Sequence, residues 1–465
     1  MKLSTSSTRA AIRPEVKRTF YLAAPLILAQ LAQISMSFID TVMVGRLGNQ
    51  ALAAIALGSS IFMMVLIICM GTLFSVGPIV AQAYGRQDRE TMARATRQGM
   101  WLAALLSLPA VLIFRNISPL LLWMGQDADI VPLSAAYLRA ISWGFLPSLC
   151  LIALRGLLEG MGHPRPIMFI SFAGVGLNIV ANYTLIFGHF GFPALGLVGT
   201  GYATSFVYSS MFAMAALFVR RSLPDYRIFA GLRRPDFSSL RELVRIGIPI
   251  GMTLGFEAGL FTVTALLMGL LGTVELAGHQ IAIQTASFTF MVPVGLATAT
   301  SIRVGQVTGQ GDIQAARLAG FVGIALSVLV MLASATAFWL IPRQIASLYL
   351  DIHAAENQAV VAQAVMFLGF AAMFQVFDGI QVSASGALRG LKDTRVPMLL
   401  SLFSYWFIGM SSGVVFTFVV GLGGRGLWMG LLLGLGSAAL LLFRRFARLT
   451  SAQRRTQQAF AVASD

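Results

Sequence analysis

From Met366 to Leu388 the chain is apolar over the length of a membrane-crossing helix. One carboxylate, Asp378, sits near the middle, and the first positive charge, Arg389, comes where the run ends. An acid at the centre of a bilayer costs roughly 2.5–3.5 kcal/mol on insertion scales, so such residues face polar interiors and act there. Two other apolar runs carry the same anomaly, at Asp40 and Glu257. A chain with three such acids must fold so that each one turns away from lipid.

Composition agrees with a membrane interior. Of the 465 residues, 57% are hydrophobic and 11% charged, against about 25% charged in soluble domains. Repeated apolar runs match helices spanning about 30 Å of hydrocarbon. The short alternating segments of a transmembrane β-barrel do not occur. Cys69 and Cys150 both lie inside apolar runs and suggest no disulfide framework. The basic start is followed by an apolar run over 20–44, too long for a signal peptide, which reads as a retained first span.

Twelve spans are expected, at 20–44, 52–80, 96–114, 130–154, 166–187, 197–219, 243–268, 276–302, 318–341, 360–388, 396–420 and 422–443. With the amino terminus inside, only Arg46, Arg115, Arg139, Arg343 and Arg425 of the 33 Lys and Arg fall outside. That asymmetry is the positive-inside pattern and places both termini in the cytoplasm. It also accounts for the net charge of +15 without nucleic acid, since juxtamembrane arginines suit an anionic leaflet.

The chain repeats itself. With a shift of 224, Pro25 meets Pro249, and Gly45-x-Leu47-Gly48 meets Gly269-x-Leu271-Gly272. Val80-x-Gln82-x-x-Gly85-x-x-Asp88 likewise meets Val304-x-Gln306-x-x-Gly309-x-x-Asp312. With a shift of 230, Gly156, Gly160 and Arg165 meet Gly386, Gly390 and Arg395. The expected architecture is all-α, with two pseudo-symmetric lobes of six helices around a central cleft. Six is even, so the halves are parallel repeats about an axis along the membrane normal. The N-lobe covers 1–230 and the C-lobe 231–465, with a basic cytoplasmic linker at about 220–241.

Gln33, Ser37 and Asp40 share one helical face. Thr253 and Thr264 lie on the face of Glu257, and Gln375 and Gln381 stand three residues either side of Asp378. Under the 224 shift, Gln33 aligns with Glu257 and Asp40 with Thr264, so the first helix of each half directs a polar face toward the cleft. Each acid alone could be a hydrogen-bonded structural residue; all three together point to a functional cavity. Asn178 and Asn182 lie one turn apart in the fifth span, where they serve either as carboxamide ligands beside Asp40 or as hydrogen bonders between helices. No Walker, HExxH, CxxC, GxSxG or kinase pattern occurs, and His163, His189, His279 and His353 are scattered. No catalytic residue and no cofactor is expected, so transport would draw on an ion gradient. The abundant Met and Phe suit a cleft that takes varied greasy cations.

Three stretches resemble one family. FQVFDGIQVSASGALRGLKDTRVP, GHQIAIQTASFTFMVPVGLATATSIRVGQVTGQGD and PLILAQLAQISMSFIDTVMVGRLG are similar to the multidrug and toxic compound extrusion (MATE) family, NorM branch, over nearly the whole chain. The resemblance implies a two-lobed antiporter that expels cationic amphipathic drugs in exchange for Na⁺ or H⁺. It further implies a coupling site at Asp40 and Asn178, and a cation site at Glu257 and Asp378, either of which would hold Na⁺. Members of this branch often carry Tyr one turn before the tenth-helix acid, where this chain has Phe374. Some relatives carry an acid at the position of Asn182. A monomer in the bacterial cytoplasmic membrane is expected. A flippase for lipid-linked oligosaccharides is the nearest alternative; it should line its cleft with arginine for a pyrophosphate, whereas the mid-span charges singled out here are acidic.

Overall fold

A computed structural model describes residues 5–231 and 235–464, with side chains for 11–231 and 235–453. Of the inward charges counted from the sequence, Lys2, Arg9, Arg233, Arg234, Arg454 and Arg455 lie outside these described side chains.

Among the described residues the chain is helical throughout, without strands. Twelve helical segments are long and apolar enough to cross a membrane. They are α1 (Ala11–Gly45), α2 (Asn49–Gly85), α3 (Arg89–Arg115), α4 (Ile130–Gly160), α5 (Arg165–Phe187) and α6 (Gly196–Ser222). The second half has α7 (Phe237–Leu271), α8 (Thr273–Gly309), α9 (Ile313–Leu340), α10 (Ala355–Gly390), α11 (Arg395–Val419) and α12 (Gly424–Gln453). The helices outrun the apolar windows because backbone hydrogen bonding continues past the hydrocarbon until a cap stops it.

The repeated Gly-x-x-Asp motif is one such stop. At the start of α3, Asp88 Oδ1 accepts from Thr91 N at 3.0 Å; at the start of α9, Asp312 Oδ1 accepts from Gln314 N and Ala315 N at 3.0 and 2.9 Å. Each carboxylate caps amides that the helix itself leaves without acceptors. The residues just before take left-handed backbone, Gln87 with φ 60° and Gly311 with φ 81°. Asp236 caps α7 in the same manner. Hydrogen bonds from Ser239 and Ser238 hold its carboxyl down at about 2, so this cap persists at neutral pH and is lost only as pH falls toward that value.

The chain divides into two compact units, one of residues 28–251 and one of residues 1–27 with 252–465. The sequence places the boundary at 230/231 instead. The difference lies at two prolines. Pro25 in α1 and Pro249 in α7 each remove a helical hydrogen bond, and the division follows two residues later in both helices, at positions related by the 224 shift. The start of α1 therefore packs in the unit of 252–465: Arg303 grips Glu15 through two 2.8 Å hydrogen bonds, and Gly295 leaves room for Ile27. The start of α7 packs in the unit of 28–251, where a Cβ on Gly247 would lie 2.0 Å from the Thr72 carbonyl oxygen. The linker belongs to that unit too, held by Arg97, which donates to the carbonyl oxygens of Ala230 (2.8 Å) and Arg227 (3.3 Å).

Aromatic side chains fill the middle of each unit. Phe62, Phe114 and Phe145 pack with centroids 5.4–5.7 Å apart in one. Trp428 packs against Phe367, Phe374 and His279 in the other.

Gly247→Ala should lower stability by about 1–3 kcal/mol, because the new methyl meets backbone that cannot yield. Gly176→Ala, which meets nothing within 4 Å, should leave it unchanged. Thermal unfolding of the two purified variants in detergent checks this.

Candidate functional site

In the unit of 28–251, α1 presents Gln33, Ser37 and Asp40 along one face, toward α5 and α6. Asp40 Oδ1 accepts from Asn178 Nδ2 at 2.9 Å and Asn182 Nδ2 at 2.6 Å. The two asparagines lie one helical turn apart on α5, so both amides reach one carboxylate. They are 1% and 0% exposed, and their Oδ1 atoms have no partner. Charge-assisted bonds from two carboxamides are the compensation that a carboxylate in an apolar bundle requires. Beside them opens a cavity of about 500 Å³, lined by Gln33, Asp40, Tyr137, Asn178, Thr204 and Tyr208 among others. Its wall also includes Met36, Leu52, Ile55 and Phe62, so a polar centre sits in an apolar surround.

The unit of 252–465 has its own constellation. Glu257 on α7 is 9% exposed, and Asp378 on α10 is 4% exposed. They lie close enough for their like charges to act on each other, with Gln381 beside Glu257. Gln381 Nε2 donates to the Tyr405 hydroxyl at 2.6 Å. Arg389, at the end of α10, attracts Glu257 electrostatically. Thr289 donates to Gln375 Oε1 at 3.0 Å. Asp378 Oδ1, Gln375 Nε2 and Gln381 Oε1 remain buried without partners. Phe374, one turn before Asp378, packs edge-on to Trp428 and Phe261 in the aromatic core.

The residues singled out in the sequence thus fall into two groups. Asp40, Asn178, Asn182 and Gln33 gather in one unit; Glu257, Asp378 and Gln375 gather in the other. Among the described residues no cluster of three or more His, Cys, Asp and Glu is placed to hold a metal ion. The oxygens available for a cation are instead those of single carboxylates with neighbouring carboxamides, hydroxyls and phenols. Sequence reasoning missed Thr204, Tyr137, Tyr208, Arg155, Glu159 and Tyr405. Thr204 and Tyr208 carry the same one-turn spacing as the asparagine pair. Glu159 lies five residues beyond the end assigned to the fourth span, so it escaped the search for mid-span acids.

Twelve spanning helices in two repeat-related units, each with buried acids in its interior, define a polytopic transport protein fold. The MatE family model matches residues 25–184 and 249–415, and the chain belongs to that family. A protein from Rhizobium meliloti (strain 1021) described as "Probable multidrug resistance protein NorM" is 41% identical over 93% of each chain. One from Pseudomonas aeruginosa with the same description is 42% identical, covering 92% of this chain and 88% of that one. Among solved structures, "Crystal structure of MATE in the bent conformation" superposes with a TM-score of 0.87 at 21% identity, covering 98% of this chain and 99% of that one. "Crystal structure of eukaryotic MATE transporter AtDTX14" superposes with a TM-score of 0.83 at 21% identity, covering 96% and 99%. These structural likenesses concern the fold.

Replacing Asn182 with Leu leaves Asp40 with Asn178 as its only carboxamide donor. Stability should fall by about 1–3 kcal/mol, the cost of leaving a buried polar group without its partner. An Asp40→Asn, Asn182→Leu double variant should lose less than the sum of the two single changes, as residues in direct contact do. Thermal unfolding of the three variants measures this.

Proposed function

We propose that this protein is a secondary multidrug exporter that expels cationic amphipathic compounds in exchange for Na⁺ or H⁺. The observation that carries this reading is Asp40, held by two carboxamides at the wall of a 500 Å³ cavity with apolar sides. The NorM descriptions of relatives about 40% identical support it.

Asp40, Asn178 and Asn182 are proposed as one coupling site. Glu257 and Asp378, with Gln375 and Gln381, are proposed as the second. As a carboxylate, Asp40 takes both amide N–H groups and attracts a positive drug. A proton on Asp40 removes that attraction. Na⁺ does so equally, once either carboxamide turns its unpartnered oxygen toward the ion; hard cations take oxygen ligands from carboxylates, amide carbonyls and hydroxyls. In both cases the drug is released as the cation binds, so the two share one protein in exchange. Exchange of one monovalent cation for one monovalent cationic drug moves no net charge, so the ion's concentration gradient drives it; each additional positive charge moving inward across 100 mV adds about 2.3 kcal/mol. The proposed setting is a monomer in the bacterial cytoplasmic membrane, with both termini and the arginine-rich end of each unit on the cytoplasmic side.

Purified protein in liposomes tests the proposal, with a fluorescent cationic drug and imposed Na⁺ and H⁺ gradients applied separately. One of the two gradients should accelerate drug movement at least tenfold. Asp40→Asn and Asp378→Asn should each reduce that acceleration at least tenfold. Drug movement indifferent to both gradients would remove the exchange mechanism.

A further inference from the structure

One buried charge pair takes no part in the arrangement so far. On α4, Arg155 Nε donates to Glu159 Oε1 at 2.5 Å, and the two side chains are 12% and 8% exposed. The guanidinium also reaches α1: both Nη atoms lie 3.3 Å from Gln30 Oε1, and Nη1 lies 3.4 Å from Gln33 Oε1. Gln33 is the residue two turns before Asp40 on the same face.

The cavities near this pair are continuous in their walls. A small cavity of about 30 Å³ is lined by Arg155, Gln33 and Tyr208, with Ser148 and Ser171. Gln33 and Tyr208 also line the Asp40 cavity. They form the partition between the two spaces. The lower space has room for a water or two, since one water needs about 10–15 Å³ and polar partners. Below it stands the ion pair, toward the arginine-rich end of the unit.

The internal repeat places an arginine where this acid stands. Under the 230 shift Glu159 aligns with Arg389, and under the 224 shift Gln33 aligns with Glu257. In the other unit, Arg389 on the fourth span attracts Glu257 on the first. Here the first span carries the uncharged Gln33 instead, and the fourth span supplies both charges. Each unit thus sets an acid against an arginine of its fourth span, the two arginines standing one helical turn apart under the shift, since Arg155 aligns with Ser385. A lone guanidinium between Asp40 and the arginine-rich end would repel any cation passing it.

We propose that Gln33, Tyr208 and the neutralised Arg155–Glu159 pair form the passage through which the coupled monovalent cation travels between Asp40 and the cytoplasm. The passage rests on the exchange reading above. The amide and phenol oxygens of the partition carry the cation or its proton across. Glu159 cancels the repulsion that Arg155 would otherwise impose. Arg155 ties Gln30 and Gln33 of α1 to α4, a contact that the passage itself does not require.

Two measurements in liposomes test this: drug efflux driven by the effective ion gradient, and drug-for-drug exchange without any gradient. Exchange cycles only the drug-loaded protein and needs no cation passage. Glu159→Gln should slow gradient-driven efflux at least tenfold, with exchange within twofold of the unaltered protein. An Arg155→Gln, Glu159→Gln double variant, which leaves no unpaired buried charge, should recover efflux to within threefold. Tyr208→Phe, which also alters the wall of the Asp40 cavity, should slow gradient-driven efflux at least threefold more than it slows exchange. If Glu159→Gln leaves efflux unchanged, or if efflux and exchange fall together in the double variant, the pair is only a strut between α4 and α1 and the passage is wrong. Should Glu159→Gln fail to fold, the double variant and Tyr208→Phe decide alone. If the unaltered protein itself shows no gradient dependence, the exchange reading fails, and the passage with it.

Discussion

Two amide N–H groups bonded to one carboxylate oxygen hold together the interior of the unit of 28–251. Asp40 stands on a helix that lipid would otherwise force to be apolar, and Asn178 and Asn182 are what make it tolerable there. Because both donors come from successive turns of α5, the register of α5 against α1 is set to within a residue. Thr204 and Tyr208 on α6 then close the same cavity. One polar contact therefore ties α1 to α5 beside the cavity that α6 helps to close.

The second organising constraint is the pair of prolines near the start of each repeat. A helix cannot carry its hydrogen-bond ladder unbroken through Pro25 or Pro249. Two residues later each helix passes from one compact unit to the other. Close packing at glycine secures each passage, at Gly295 against Ile27 and at Gly247 against Thr72. These contacts admit no methyl group, which is why small residues recur where first helices meet their neighbours.

The repeats agree in scaffold and diverge in chemistry. The caps at Asp88 and Asp312, the prolines and the unit boundaries all obey the 224 shift. The polar interior does not keep its residues: Asp40 aligns with Thr264 and Gln33 with Glu257, and under the 230 shift Glu159 aligns with Arg389. One unit pairs its acid with two carboxamides. The other sets two acids near each other, with Gln381, Tyr405 and Arg389 around them. Duplicated helices share the backbone geometry that packing demands, while their interior polar positions differ.

Much of this was legible in the sequence, for particular reasons. Twelve spans follow from apolar length, because hydrocarbon thickness dictates helix length. The acids at Asp40, Glu257 and Asp378 stood out because charge is conspicuous against hydrocarbon. The one-turn spacing of Asn178 and Asn182 set them on one face, but left undecided whether they served Asp40 or a neighbouring helix. Glu159 was hidden, since an acid near the end of an apolar run looks like an ordinary interfacial residue until its neighbours are known. Phe374 illustrates the same limit: its place in the sequence suggests a site position, and its ring lies in the core around Trp428.

The amino-acid sequence by itself determined the class of fold, the number of spans, the duplication and the identity of the mid-span acids. All of these depend on local composition and on the cost of polar groups in lipid. Tertiary structure alone decided that α1 and α7 each divide between units, that both asparagines turn to Asp40, and that Arg155 joins Glu159 to Gln33. Those outcomes depend on which helix faces lie together in space, and helical periodicity defines a face without naming the partner opposite it.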